Sequence, residues 1–179
     1  MLMTMLLTLS LIASTPEATA ETTPAAETDA EQSELARLAA EEVEGLHAFF
    51  HDWFVAELPD TDEAYARFAD ALADEFTIIT PAGIVTGKED LVARLRESHG
   101  SGKEQGVKIW IRGFEVRREL GDLILVNYEE WQEIGSRRTG RVSSALLRRD
   151  PAAPGGLSWL HLHETWLPRS AVEQMLSDE

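Results

Sequence analysis

The stretch Leu157-Ser158-Trp159-Leu160-His161-Leu162-His163-Glu164-Thr165-Trp166-Leu167 decides how this chain folds. Its pattern has a period of two, so a strand built from it turns Leu160, Leu162, Glu164 and Trp166 to one side. The other side then carries Trp159, His161, His163 and Thr165. Large residues on both sides mean that each face needs its own burial: one is expected to look onto helices and the other onto a partner sheet.

Upstream of this stretch, residues 107–118, 123–133 and 141–149 are also strand-like. They are separated by Gly121-Asp122, by the glycine-bounded segment 135–140 and by the Pro/Gly-rich segment 151–156. Long strands joined by short turns predict an antiparallel meander. Before them, Phe76-Thr77-Ile78-Ile79-Thr80, Pro81-Ala82-Gly83 and Ile84-Val85 read as a small hairpin. Helical spacing takes over nearer the N-terminus. Leu35, Leu38, Glu42, Leu46, Phe49, Phe50, Trp53 and Phe54 recur at three and four, with Ser33 placed to cap a helix running to about Glu57. Pro59-Asp60 breaks it, and Thr61 caps a second helix with Ala64, Tyr65, Phe68 and Leu72 on its buried stripe. A third runs from Thr86-Gly87-Lys88-Glu89 to His99-Gly100. The order predicts an α+β fold, a curved antiparallel sheet packed on three N-terminal helices, with a cavity at the open end of the curve.

Residues 1–20 read as a secretory signal peptide. A short apolar run, MLMTMLLTLSLIA, precedes Ala18-Thr19-Ala20, so export to the periplasm or medium with cleavage near Ala20 is expected. Residues 21–32 lack aromatics and read as a flexible linker. The folded domain is placed at 33–169 and a C-terminal tail at 170–179. With 16 Lys+Arg against 32 Asp+Glu the net charge is −16, which repels phosphate backbones and anionic lipid. No nucleic-acid partner, and no membrane for the mature form, is expected. The absence of Cys removes disulfides, thiolate metal sites and a cysteine nucleophile.

The strings Ala73-Asp74-Glu75-Phe76-Thr77-Ile78-Ile79-Thr80-Pro81-Ala82-Gly83, Tyr128-Glu129-Glu130-Trp131 and Leu160-His161-Leu162-His163-Glu164-Thr165 resemble the nuclear-transport-factor-2-like superfamily. The resemblance spans about residues 34–168 and is greatest to small bacterial members of unassigned function. That clan also holds SnoaL-like cyclases, ketosteroid isomerases and the calmodulin-dependent kinase association domain. It implies a cone-shaped scaffold whose pocket is lined by the concave sheet face and first helices, and commonly a dimer through the convex face. It implies little about activity, because the scaffold hosts enzymes and plain binding modules alike.

By strand parity Glu164 points inward, and Ile124, Val126 and Tyr128 bring Glu130 inward on a neighbouring strand. Two carboxylates sharing an apolar cavity cannot both ionise comfortably, so one is expected to rise toward neutrality and suit acid–base catalysis. Tyr128 would donate to a developing oxyanion. Buried carboxylates are usually paired, however, so the weightier expectation is that both pair with Arg112, Arg141 or backbone donors at the cavity rim. Ser144, Trp166, Trp53 and Arg112 complete the expected ligand contacts, although Trp53, like Phe49 and Phe50, also reads as core. On the opposite face Trp131, Trp159, His161 and His163 form the expected dimer contact, with a metal set of His161, His163 and a carboxylate as the weaker reading. His47 and His51, four apart with Glu44 nearby, lack the His-Glu-x-x-His order and read as a solvated or rim face. No metal is expected, and no cofactor, since there is no glycine-rich nucleotide loop and no CxxC. The functional expectation is a homodimeric protein that binds an apolar or amphipathic small molecule. The alternatives are a cofactor-independent isomerase, cyclase or hydrolase using Glu130 and Glu164, or a non-catalytic dimerisation domain.

Overall fold

Ser33 caps the first helix as its spacing predicts: its Oγ accepts the Ala36 N–H at 3.0 Å, opening α1 (Glu34–Phe54). The computed structural model describes residues 33–177; the signal-peptide and linker expectations lie outside them. Thr61 caps α2 (Asp62–Ala69) through a 3.2 Å bond from the Ala64 N–H. That helix stops before Leu72, expected on its stripe, because Leu72 already opens strand β1 (Leu72–Ile79). The hairpin follows with β2 (Val85–Gly87), turning at Gly83 with φ 78°, a backbone conformation that glycine adopts freely. After α3 (Lys88–Arg96) come β3 (Val107–Leu120), β4 (Leu123–Ile134), β5 (Arg137–Arg149) and β6 (Leu157–Trp166). The expected tail carries a further helix, α4 (Arg169–Ser177), which packs against β5.

The six strands form one sheet in the order β2-β1-β6-β5-β4-β3. The meander β3 to β6 is antiparallel throughout, as predicted, whereas β1 joins β6 in parallel. That pairing differs from the purely antiparallel expectation. Register shifts in β3 fall between Arg112 and Glu115, around Gly113 with φ 60°, and between Val116 and Arg118. Such bulges bend a strand and help to curl the sheet.

One shift corrects the reading of the C-terminal strand. Leu146 pairs with His161 while Leu147 pairs with Trp159, so Leu160 is the extra residue of a bulge in β6. Alternation restarts after it. Trp159 and Leu157, ahead of the bulge, are buried in the core, and Leu162 and Glu164, behind it, face the same way. Trp159 is therefore not on the outer face where strict alternation puts it.

The core fills the space between α1 and the sheet. Leu46, Phe49, Trp53, Phe68, Tyr128 and Trp159 belong to it. Trp53 stacks on Phe49 at 5.7 Å between ring centroids and donates from Nε1 to the Leu95 carbonyl at 3.0 Å, while Tyr65 Oη donates to the Val92 carbonyl at 2.5 Å. Each ring buries apolar area and satisfies its polar atom, fastening α3 to the first two helices. No helix among the described residues is long and apolar enough to cross a membrane.

Candidate functional site

A cavity of about 270 Å³ opens between α1, α2, α3 and the helix-facing side of the sheet. Most of its wall is apolar: Leu46, Phe50 and Phe54 from α1, Phe68 from α2, Phe76 and Ile78 from β1, Leu162 from β6. One end is polar, built from His47, Tyr128, Glu130, Gln132, Arg141 and Glu164.

Register assembles that polar end. Glu130 opposes Arg141 across β4 and β5, and Ser143 opposes both Tyr128 and Glu164. Residues directly opposite share a sheet face, so Tyr128, Glu130, Arg141, Ser143 and Glu164 converge. Arg141 donates from Nε to Glu130 Oε2 at 3.0 Å and from Nη2 to Glu130 Oε1, and its Nε also lies 2.9 Å from Glu164 Oε1. Gln132 Nε2 donates to Glu130 Oε1 at 2.6 Å. From α1, His47 Nδ1 faces the Val43 carbonyl at 2.6 Å and so must donate to it, leaving Nε2 against Glu130 Oε2 at 3.1 Å. His47 thus ties Glu130 to the α1 backbone.

The two carboxylates titrate apart. Burial alone would raise Glu130, but the charges of His47 and Arg141 and the hydrogen bonds from both overcome it, holding the carboxyl far below the usual carboxylate range. Glu164 lacks such a set of donors. Burial pushes it up to about 7, Arg141 opposes that rise and Glu130 adds to it. Glu130 is a fixed anion and Glu164 a group able to gain or lose a proton near neutrality. Tyr128 is buried with its Oη free of any hydrogen bond among the described residues, as is Ser143 Oγ. Burial, then the charge of Glu130, keeps the phenol protonated; Ser143 eases that rise but does not reach hydrogen-bond geometry.

Glu130, Glu164 and Tyr128 therefore meet in the cavity as parity predicts, and Arg141 is the cation that pairs with both carboxylates. The other expected contacts lie elsewhere. Ser144 points to the outer face, where its Oγ accepts from Asn127 Nδ2 at 2.5 Å; its neighbour Ser143 faces inward instead. Arg112, opposite Glu129, is exposed and touches Met175 of α4. Trp53 is sealed in the core, and Trp166, half-exposed at the end of β6, does not line the cavity. On the outer face, His161 Nδ1 meets Thr77 Oγ1 at 2.9 Å and His163 is exposed. Trp131 is on that face too but is covered within the protomer, stacked on Trp110 at 6.3 Å with its Nε1 donating to Glu129.

His47, like Gln132, stands at the polar end without being among the expected site residues. Four and three positions from Val43 and Phe50, it sits inside the buried stripe of α1, and a polar residue in such a stripe was the signal. Glu42 carries the same signal. It is buried, accepts from Arg67 Nη1 and Nη2 at 3.2 and 2.8 Å, and accepts from Trp159 Nε1 at 2.9 Å. His51 turns away, lying 2.9 Å from Asp52. With Asp52 and Glu57 it brings ligand-type atoms within 4.8 Å of one another, a partly exposed acidic group of a kind common on surfaces.

Residues 39–168 match the family described as the C-terminal domain of sucrose-6-phosphate phosphohydrolase, and the chain belongs to that family. It is 27% identical over 139 residues to sucrose-phosphatase 1 of Nicotiana tabacum, covering 77% of this chain and 33% of that protein. The chain spans about a third of the length of the curated relatives it matches. Among solved structures it resembles an NTF2-like protein of unknown function from Pseudomonas aeruginosa. The TM-score is 0.65 at 27% identity, over 73% of this chain and 99% of that one. A protein with a cystatin-like fold from Caulobacter vibrioides gives 0.55 at 15% identity, over 79% and 96%. The nuclear-transport-factor-2-like fold expected from the sequence is shown. The phosphohydrolase family is one that the sequence reading did not single out.

Proposed function

We propose that this domain binds a small molecule in the cavity between its helices and sheet. The observation that carries the reading is the combination of a deep apolar wall with one fixed polar end, the arrangement by which pockets gain affinity from burial and orientation from a few hydrogen bonds. Glu130, locked by His47, Arg141 and Gln132, would be the rigid floor of that end. Native mass spectrometry of the chain purified without a ligand-exchange step tests it. A co-purified organic mass, displaced when Leu162→Trp fills the chamber, supports the reading. A protein that carries no adduct and takes up none from a panel of apolar compounds contradicts it.

One observation favours a second, catalytic reading: Glu164 and Glu130 share Arg141 at the polar end of the cavity, with Glu130 held well below the usual carboxylate range by His47 and Arg141 and Glu164 pushed up to about 7 by burial. A carboxyl of that kind is a general acid or base at neutral pH, and Tyr128 supplies a neutral donor for charge developing on a substrate oxygen. Turnover of a screened substrate that falls at least a hundredfold in Glu164→Gln would establish this; turnover unaffected by that change would remove Glu164 from the chemistry.

Dimerisation belongs to the same proposal. The outer face presents Val142 and His163 to solvent, and a second copy is the partner that would cover them. Export with loss of residues 1–20 is a separate proposal, tested by N-terminal sequencing of the protein from its host.

A further inference from the structure

We infer that the cavity takes an uncharged, mainly apolar ligand, held by one oxygen atom that accepts a hydrogen bond from Tyr128 Oη, and that it turns away phosphorylated molecules. The inference rests on the small-molecule reading above and names the ligand class.

A phosphate meets competition at the polar end. Among the described residues lining the cavity, Arg141 supplies the one guanidinium and there is no lysine. Arg141 gives its Nε and Nη2 to Glu130, and the Nε also lies 2.9 Å from Glu164 Oε1. The His47 Nε2 that faces the polar end is likewise committed to Glu130. A phosphate entering here would have to compete with Glu130 for Arg141, and Glu130 is already held in place by Arg141, His47 and Gln132. Recognition of phosphate by proteins needs an uncommitted Arg or Lys, or a run of backbone N–H groups, aimed at the anion. Among the described residues the polar end offers Arg141 alone, and its Nε and Nη2 already serve Glu130.

What it does offer is an unused donor. Tyr128 is 1% exposed, lines the cavity, and its Oη makes no hydrogen bond among the described residues. A buried hydroxyl left without a partner costs free energy that a ligand oxygen would recover. Ser143 Oγ, buried on the strand directly opposite, is also without a partner. One free donor lining the end of an apolar chamber suits a single hydroxyl or carbonyl oxygen on a hydrocarbon frame. It does not suit a sugar, whose many hydroxyls would mostly be left without partners against Phe and Leu.

The test compares naphthalene, 2-naphthol and 2-naphthyl phosphate by equilibrium dialysis against the full chain at pH 7, with the Tyr128→Phe variant alongside. The frame is constant and only the substituent changes. We expect 2-naphthol to bind about tenfold more tightly than naphthalene, the worth of one hydrogen bond, and at least tenfold more tightly than the phosphate ester. In Tyr128→Phe the advantage of 2-naphthol over naphthalene should vanish while naphthalene binding is unchanged. Tighter or equal binding of 2-naphthyl phosphate overturns the exclusion. Equal binding of naphthalene and 2-naphthol, or an advantage that survives in Tyr128→Phe, overturns the oxygen anchor and leaves the small-molecule reading standing. If a chain that melts normally binds none of the three, the small-molecule reading falls with it.

Discussion

Glu164 meets Arg141 at 2.9 Å and still titrates near 7, because Arg141 gives its better contacts to Glu130 and burial dominates what remains. The consequence for stability has a definite sign. Glu164 has its usual value of 4.5 in the unfolded chain and about 7 in the folded one, so the folded state binds more protons across that window. Stability contributed by this group is fully present below 4.5 and is lost as pH rises through 7. At about 1.4 kcal/mol per pH unit the loss is bounded at about 3–4 kcal/mol. Glu130, held low, acts in a different window, losing its contribution only as pH falls below the usual carboxylate range. Urea denaturation at pH 5, 6, 7 and 8 should show the parent losing stability relative to Glu164→Gln. Parallel curves for the two proteins would contradict this placement of Glu164.

Glu42 and Gly155 make a second pair with a measurable coupling. A Cβ at Gly155 would lie 1.7 Å from Glu42 Oε2, so Gly155→Ala must push the carboxylate off Arg67 and Trp159. Removing the carboxylate itself, in Glu42→Ala, should cost about 3 kcal/mol, the low end for a broken buried pair, because Arg67 is partly exposed and can turn to water. The double variant decides the mechanism. With Glu42 already Ala, the Gly155→Ala change has nothing to strike, and the costs should be less than additive by at least 1 kcal/mol in urea unfolding. Additive costs would mean that Gly155 matters for its backbone alone.

Much of this site was legible in the sequence, and the part that was not has identifiable causes. Ser33 and Thr61 capped their helices because a cap is a local bond. Glu130 and Tyr128 turned inward because β4 alternates without interruption from Ile124 to Glu130. Trp159 was misplaced because a bulge at Leu160 is set by pairing with β5 and β1, which no local period reveals. Ser143 and Ser144 were exchanged for a related reason: adjacent serines give no hydrophobic cue to parity, and only the register against Tyr128 and Glu164 fixes which faces in. His47 was assigned to a solvated or rim face when weighed against metal-binding spacings, although the apolar residues around it on α1 already marked the position as buried.

The burial of Trp131 changes what a dimer experiment should mutate. Trp131 is covered by Trp110, and a Cβ at Gly140 would touch both Trp131 and Leu167, so the ring is packed inside one protomer. Trp131→Ala should therefore cost about 3–5 kcal/mol in unfolding whatever the oligomeric state. Val142, 39% exposed on the same face, is the better probe. Val142→Arg should keep stability within about 0.5 kcal/mol and shift light scattering from dimer to monomer mass. A dimer that survives this change would place the interface elsewhere.

Tyr128 offers a prediction that runs against the usual effect of trimming a buried side chain. Its ring packs edge-on to His47 at 5.4 Å, and loss of the ring would open a hole. Loss of the hydroxyl alone removes an atom that makes no hydrogen bond in the described structure. Tyr128→Phe keeps the packing and relieves the cost of a desolvated, unpartnered hydroxyl, so the ligand-free protein should be as stable as the parent or more stable by about 1 kcal/mol. The same change should weaken a ligand that uses the hydroxyl, and the two effects separate in thermal melts with and without 2-naphthol. The variant should melt at or above the parent when empty and gain less than the parent when 2-naphthol is added, since a ligand stabilises in proportion to its affinity for the folded state. A variant that melts well below the parent in the absence of ligand would mean that Tyr128 Oη is bonded within the protein, and that its role is structural.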